Sequence, residues 1–199
     1  MKRVTIKDNY DMLRTVSSDV DFENDNYMDY VKKLENYCLN NRVYALAPVQ
    51  IGIPKRMIYL RNTTEDMTKN ICSNYNEGIV LINPVIISRT GHAKFLERCE
   101  SCLDYVGVID RPYSVTVKYF DISRNIHVEE FTGFRAIVFS HEFDHLNGIL
   151  HMDRTDKIMQ MNWDETKKYR DNHPMEVISK LGDYKDSFFD NMKQIIKKK

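Results

Sequence analysis

Ser140-His141-Glu142-Phe143-Asp144-His145-Leu146-Asn147-Gly148 is the stretch on which the reading of this chain turns. Its centre, His141 to His145, has the form H-E-x-x-H. Positions four apart on an α-helix share one face, a turn from each other. A helix over Phe134 to Leu146, with Val138, Phe139 and Phe143 turned to a core, therefore presents the two imidazoles of His141 and His145 to one metal ion. Glu142 puts a carboxylate beside them. Imidazole suits zinc, iron or nickel, and the carboxylate can serve as a base in hydrolysis. Gly148 suits the residue that ends such a helix, because glycine tolerates the left-handed conformation there.

Working outward, Ser114 to Phe120 and Ile126 to Phe131 each alternate in the manner of strands. Asp121-Ile122-Ser123-Arg124-Asn125 between them has turn chemistry, which predicts an antiparallel hairpin. Lys55 to Leu60 reads as a short strand, and Ile79 to Ile87 as a buried strand interrupted at Asn83-Pro84. Asn26 to Asn40 reads as an amphipathic helix burying Tyr27, Tyr30, Val31, Leu34 and Cys38. Asn62 to Gly78 is polar and aperiodic, an expected exposed loop. Phe188, Phe189, Met192, Ile195 and Ile196 fall on one face of a C-terminal helix ending in Lys197-Lys198-Lys199. The order predicts an α+β fold, with mostly antiparallel sheets packed around the central metal-binding helix and a helix towards each terminus. One catalytic domain over 1–199 is expected, with a core of about 8–155 and a C-terminal helical extension of about 156–199.

Twenty-nine Lys and Arg balance 29 Asp and Glu, which argues against direct DNA binding and against membrane-surface binding. Four cysteines are too few for a disulfide scaffold in 199 residues. The first residues lack the apolar core of a signal peptide, and no apolar run approaches a membrane span, so a cytoplasmic location is expected.

H-E-x-x-H leaves a third ligand to find. His151 completes H-E-x-x-H-x-x-G-x-x-H, the pattern of a metzincin-like zinc endopeptidase using His141, His145 and His151. Cys102, in Glu100-Ser101-Cys102-Leu103-Asp104, is the other candidate. Cys99-x-x-Cys102 with both imidazoles would instead make a closed structural zinc site, in which Glu142 has no task.

Three separated segments weigh on this choice: Ala45-Leu46-Ala47-Pro48-Val49-Gln50-Ile51-Gly52, Glu100 to Asp104, and Ser140 to Gly148. In that order they resemble the peptide deformylase motifs G-x-G-x-A-A-x-Q, E-G-C-L-S and Q-H-E-x-D-H-L-x-G. Leu13-Arg14 with Ser17, and Phe131-Thr132-Gly133-Phe134-Arg135-Ala136, agree with the flanks. The resemblance covers about residues 8 to 155. It implies a hydrolase that removes the formyl group from N-formylmethionyl nascent peptides and releases formate. Cys102, His141 and His145 would hold one divalent ion, Fe2+ in the cell, with Zn2+, Ni2+ or Co2+ as substitutes. Glu142 would move the proton, and the Gln50 amide and the Leu103 N–H would stabilise the oxyanion. Ala45, Ala47 and Glu100 would meet substrate, and Glu100 could also hold a ligand His or Arg111. The ribosome is an implied partner, through the basic C-terminal helix. Val43 and Ala45 replace the family's two glycines, Pro48 its second alanine and Asp104 its serine. These changes bear on the substrate cleft and also motivate a reading as a metal-binding homologue with reduced activity.

Overall fold

The computed structural model describes residues 1–61 and 78–188. The expected loop at 62–77 and the amphipathic stretch at 189–199 lie outside them. Four helices are described: α1 (Tyr10–Leu13), α2 (Tyr27–Asn40), α3 (Phe134–His145) and α4 (Trp163–Asn172). Eight strands form one sheet: β1 (Ala45–Leu46), β2 (Met57–Arg61), β3 (Gly78–Arg98), β4 (Tyr105–Arg111), β5 (Ser114–Phe120), β6 (Ile126–Thr132), β7 (Ile158–Gln160) and β8 (Glu176–Asp183). Every pairing between these strands is antiparallel.

β3 organises the sheet. Its first residues pair with β2, its middle with β5 and its end with β4 and β8. Asn83-Pro84 does not end the strand, as a proline would in a regular central ladder. It sits in a bulge between the Ile82 and Val85 pairs. Asn83 adopts φ 50°, a conformation asparagine tolerates, and its side chain bonds both Val20 N–H (2.8 Å) and Val20 C=O (3.0 Å). The strand bends there and runs on towards the metal helix.

β2 is buried on both faces, which is why Met57 to Leu60 reads as a continuous apolar run rather than an alternation. Ile58 and Leu60 pack with Ala136, Phe139 and Leu146 around α3, while Met57 and Tyr59 pack with Val31, Leu34 and Cys38 of α2. The period of two thus divides one strand between two cores. The predicted hairpin is present as β5 and β6, in register from Ser114↔Thr132 to Phe120↔Ile126.

Within 156–183 the C-terminal extension carries strands as well as the helix α4: β7 pairs with β4 and β8 with β3, tying this part into the sheet. Short alternating segments such as Glu176–Asp183, exposed along almost their whole length, carry little hydrophobic signal. Among the described residues no helix is long and apolar enough to cross a membrane.

Candidate metal centre

α3 holds His141 and His145 one turn apart, with ring centres 5.0 Å from each other. The sulfur that meets them is Cys99. Its Sγ and one nitrogen from each imidazole lie within 4.8 Å of one another, and Cys99 Sγ is 3.4 Å from His145 Nε2. This corrects the expectation for Cys102, which is not among the converging ligand residues and packs behind Cys99 with Leu13 and Leu150. The physical reason is the end of β3. Side chains alternate along a strand, so Phe95, Glu97 and Cys99 share a face, and Phe95, Glu97 and Cys99 all line the cavity in front of α3. The chain then closes into a 3₁₀ turn at Glu100–Cys102, with Cys102 N–H on the Cys99 carbonyl at 2.9 Å. The neighbouring Cys102 thiol, with His145 and His141, draws the Cys99 thiol well below its ordinary range despite burial. Cys99 and burial together push Cys102 far up.

Moving the sulfur three residues moves the acid as well. Glu97, not Glu100, takes the position two before the ligand. Its Oε2 accepts from His141 Nδ1 at 2.7 Å, and it receives Arg111 Nε and Nη2 at 2.6 and 2.9 Å. Burial opposes charge on Glu97, but Arg111 and His141 together hold its carboxyl well below the usual carboxylate range. Arg111 also binds Asp144, which Arg154 holds from the other side. Glu97, Arg111 and Asp144 are each almost wholly buried, so the pairing has to be complete. Glu100 points elsewhere: it is largely exposed, 2.8 Å from Arg3, at the cavity rim. Asp104 is likewise exposed and paired with Arg98 at 2.8 Å.

Glu142 and Gln50 meet at one backbone donor. Ala47 N–H gives to Glu142 Oε2 at 2.9 Å and to Gln50 Oε1 at 3.1 Å. The Gln50 amide donates to Cys99 Sγ (3.4 Å) and Ser101 Oγ (3.2 Å), which places it at the metal group. Burial raises the Glu142 carboxyl, opposed by the two neighbouring imidazoles. Leu103 N–H is committed to the Glu100 carbonyl at 3.2 Å and is not available to an oxyanion. Glu100 opens the 3₁₀ turn, so its own N–H is one of the donors that a helical start leaves without an internal partner.

Ala45 lines the cavity, whereas Ala47 is fully buried and contributes its N–H. The cavity holds about 550 Å³ and reaches Cys99, His141, Glu142 and Gln50. His151 lies beside His141, ring centres 5.8 Å apart, but its Nε2 is 3.0 Å from the Tyr105 carbonyl and it is not among the three converging ligand residues. Arg14 explains the N-terminal motif, since it binds Asp153 and the Gly148 carbonyl and so clamps the far end of α3. Gly148 lies at φ +68°, where a Cβ would stand 2.3 Å from Arg14 O. Strand alternation from Phe95 was the signal that could have pointed to Glu97 and Cys99; the α4 residues lining the cavity, Trp163, Lys167 and Arg170, had none.

A metal fits these residues. A thiolate and two imidazoles are a donor set for a divalent ion. The Glu97 carboxylate on His141 Nδ1 settles the ring so that Nε2 faces the group, as metal-bound imidazoles are ordinarily held.

The family model for polypeptide deformylase matches residues 2–161. A peptide deformylase from Finegoldia magna is 30% identical over 162 residues, which are 81% of this chain and 92% of the relative. Two solved structures share the fold. One is a probable peptide deformylase from Synechococcus phage S-SSM7, with TM-score 0.67 and 29% identity over 78% of this chain and 99% of its own. The other is the Met-Ala-Ser-bound class I type b enzyme from Acinetobacter baumannii, with TM-score 0.67 and 25% identity over 78% of this chain and 98% of its own. The three motifs, the Cys-His-His cluster with its adjoining glutamate, and these likenesses agree that the chain belongs to the peptide deformylase family.

Proposed function

We propose that Cys99, His141, His145, Glu142, Gln50 and the Glu100 N–H carry out the deformylation for which this family is built. The chain is an enzyme that hydrolytically removes the N-formyl group from nascent peptides. One observation carries the assignment of roles: the Cys99 sulfur meets both imidazoles, and Cys99, His141, the Glu142 carboxylate and the Gln50 amide line the floor of one cavity.

Cys99, His141 and His145 would hold the ion. When bound, it supplies Lewis acidity towards the formyl group and the attacking water. Glu142 accepts the water's proton at Oε1 or Oε2 and returns it to the amine that leaves with the peptide. Its buried site, with Ala47 N–H fixing one oxygen, keeps the carboxylate oriented between those two events. The Gln50 Nε2–H and the Glu100 N–H are the donors for the developing oxyanion; the buried Gln50 amide is oriented by Ala47 N–H on its oxygen, and the Glu100 N–H by the backbone of its turn. The apolar inner lining of Tyr44, Phe95, Phe134, Ile137 and Val138 takes a methionine-like side chain and sheds water around the reacting bond.

Iron is the metal we assign in the cell, because thiolate with imidazole suits Fe2+ as well as Zn2+, Ni2+ or Co2+. The substrate is a formylmethionyl chain, which puts the enzyme in the cytoplasm with translating ribosomes. Contact with the ribosome through Lys197-Lys198-Lys199 rests on their charge alone.

The test is formate release from formyl-Met-Ala-Ser under anaerobic conditions, with iron or nickel added. Release that Glu142→Ala abolishes, while metal content stays near one ion per chain, supports the assignment. Full metal loading without formate release would overturn it in favour of a binding homologue. Internal peptide-bond cleavage dependent on His151 would favour an endopeptidase.

A further inference from the structure

Trp163, Lys167, Arg170 and Asp171 of α4 line the same cavity as the Cys-His-His group. Positions 163, 167, 170 and 171 share a helix face. Apart from the residues up to Met161, this part of the chain lies beyond the family match at 2–161. It is nevertheless firmly docked. Arg170 donates Nε and Nη2 to the Leu96 carbonyl at 3.0 and 2.9 Å, with its guanidinium 4.7 Å from the centre of the Phe95 ring. Arg98 reaches the Met161 carbonyl at 2.5 Å and lies 6.0 Å from the Trp163 ring. Thr166 is buried beneath. Leu96 and Arg98 belong to the end of β3 that delivers Cys99, so wall and metal group hang on one strand.

The wall's charge is unlike that of the floor. At the floor the buried carboxylates of Glu97 and Asp144 each have a cation. On the wall, Arg170 is anchored by a neutral carbonyl, and its Nη1 has no acceptor among the described residues. Burial lowers the Arg170 pKa to about 10, which still leaves it charged at neutral pH. Lys167 is exposed and has no ion pair among the described residues. Asp171 is the acid on this face, and Arg3 with Glu100 across the cavity compensate each other. A volume of about 550 Å³ suits a ligand larger than one side chain. A chain whose first side chain fills the apolar interior therefore runs on to a wall with an excess of positive charge.

We propose that α4 determines specificity beyond the first residue, with Arg170 and Lys167 binding a carboxylate carried by the formylated peptide and Trp163 covering the chain beside it. The carboxylate is an Asp or Glu side chain or the free end of a short peptide. The inference deepens the deformylase reading and rests on it for the substrate's formyl end.

Trp163 is the single tryptophan of the sequence, so its emission reports on the wall directly. The metal-loaded protein is titrated with Met-Ala-Glu amide, Met-Ala-Lys amide and Met-Ala-Gln in free-acid and amide forms. In parallel, formate release is measured from the formylated series. The expected result is saturable quenching or enhancement, with the acidic peptide about fivefold tighter than its Lys counterpart, the size of one partly exposed ion pair. The advantage shrinks at high salt, and Lys167→Glu or Arg170→Gln reduces it through KM rather than kcat. An advantage that follows the Glu side chain assigns the side chain, and one confined to the free-acid Gln peptide assigns the terminus. Affinities and kcat/KM values within about twofold across the series, unchanged by either variant, would overturn the proposal. If no formylated peptide is hydrolysed while the emission still ranks the acidic peptide first, the wall stands and the deformylase assignment falls.

Discussion

The floor and the wall of the cavity follow opposite rules. At the floor, Glu97, Arg111, Asp144 and Arg154 interlock behind α3, and each buried charge meets its counterpart. Removing any member takes from a buried charge a partner that water cannot replace, which makes the arrangement intolerant of change. At the wall, α4 carries exposed Trp163 and Lys167 and an Arg170 anchored through a neutral carbonyl. Substitution of exposed Trp163 or Lys167 costs the fold little. A deformylase can therefore keep its chemistry on the floor and vary its substrate preference on the wall.

That contrast can be broken most sharply at the two cysteines. Cys99→Ala is expected to remove the metal and with it formate release, whereas Cys102→Ala retains metal; metal analysis of the purified variants decides between them. The opposite pattern would restore the register read from Glu100-Ser101-Cys102. Glu142→Ala should lower kcat by about a hundredfold or more while leaving the metal in place, because it removes only the proton carrier.

Next in size is the lattice itself. Arg111→Met leaves Glu97 and Asp144 short of a cation and should destabilise the protein by about 3–5 kcal/mol in denaturant titration. A loss below about 1 kcal/mol would mean that the floor is no more constrained than a surface pair. Gly148→Ala forces a side chain into a left-handed conformation against Arg14 O and should cost about 1–3 kcal/mol, read the same way. At the small end, Lys33→Ala breaks an exposed i,i+4 pair with Asp29 and should change stability by less than about 0.5 kcal/mol.

Local patterns made much of this legible. Four-residue spacing on one helix is a property of the helix alone, so His141, His145 and Glu142 could be placed together before any packing was known. The β5–β6 hairpin, with turn residues between two alternating runs, was as plain. Asn83-Pro84 was visible as an interruption but not as a bulge, since the bond from Asn83 to Val20 joins residues 63 apart. The exposed strands β7 and β8 and the wall helix lacked a sufficient apolar period to show what they pack against.

The choice of sulfur marks the boundary between the two kinds of knowledge. Glu97-Arg98-Cys99 and Glu100-Ser101-Cys102 are both E-x-C, and only the second is followed by leucine, so the motif alone selects the wrong one. The sequence by itself determined a metal-binding helix, the acid beside it and an antiparallel frame, because each depends on periodicities within a few residues. Which cysteine faces the imidazoles, which glutamate steadies them and which helix walls the cleft were decided only by tertiary structure. β3 must pass its bulge at Asn83, run on to pair with β4 and end against α3 before Cys99 meets the imidazoles and Cys102 is left behind it beside Leu13 and Leu150.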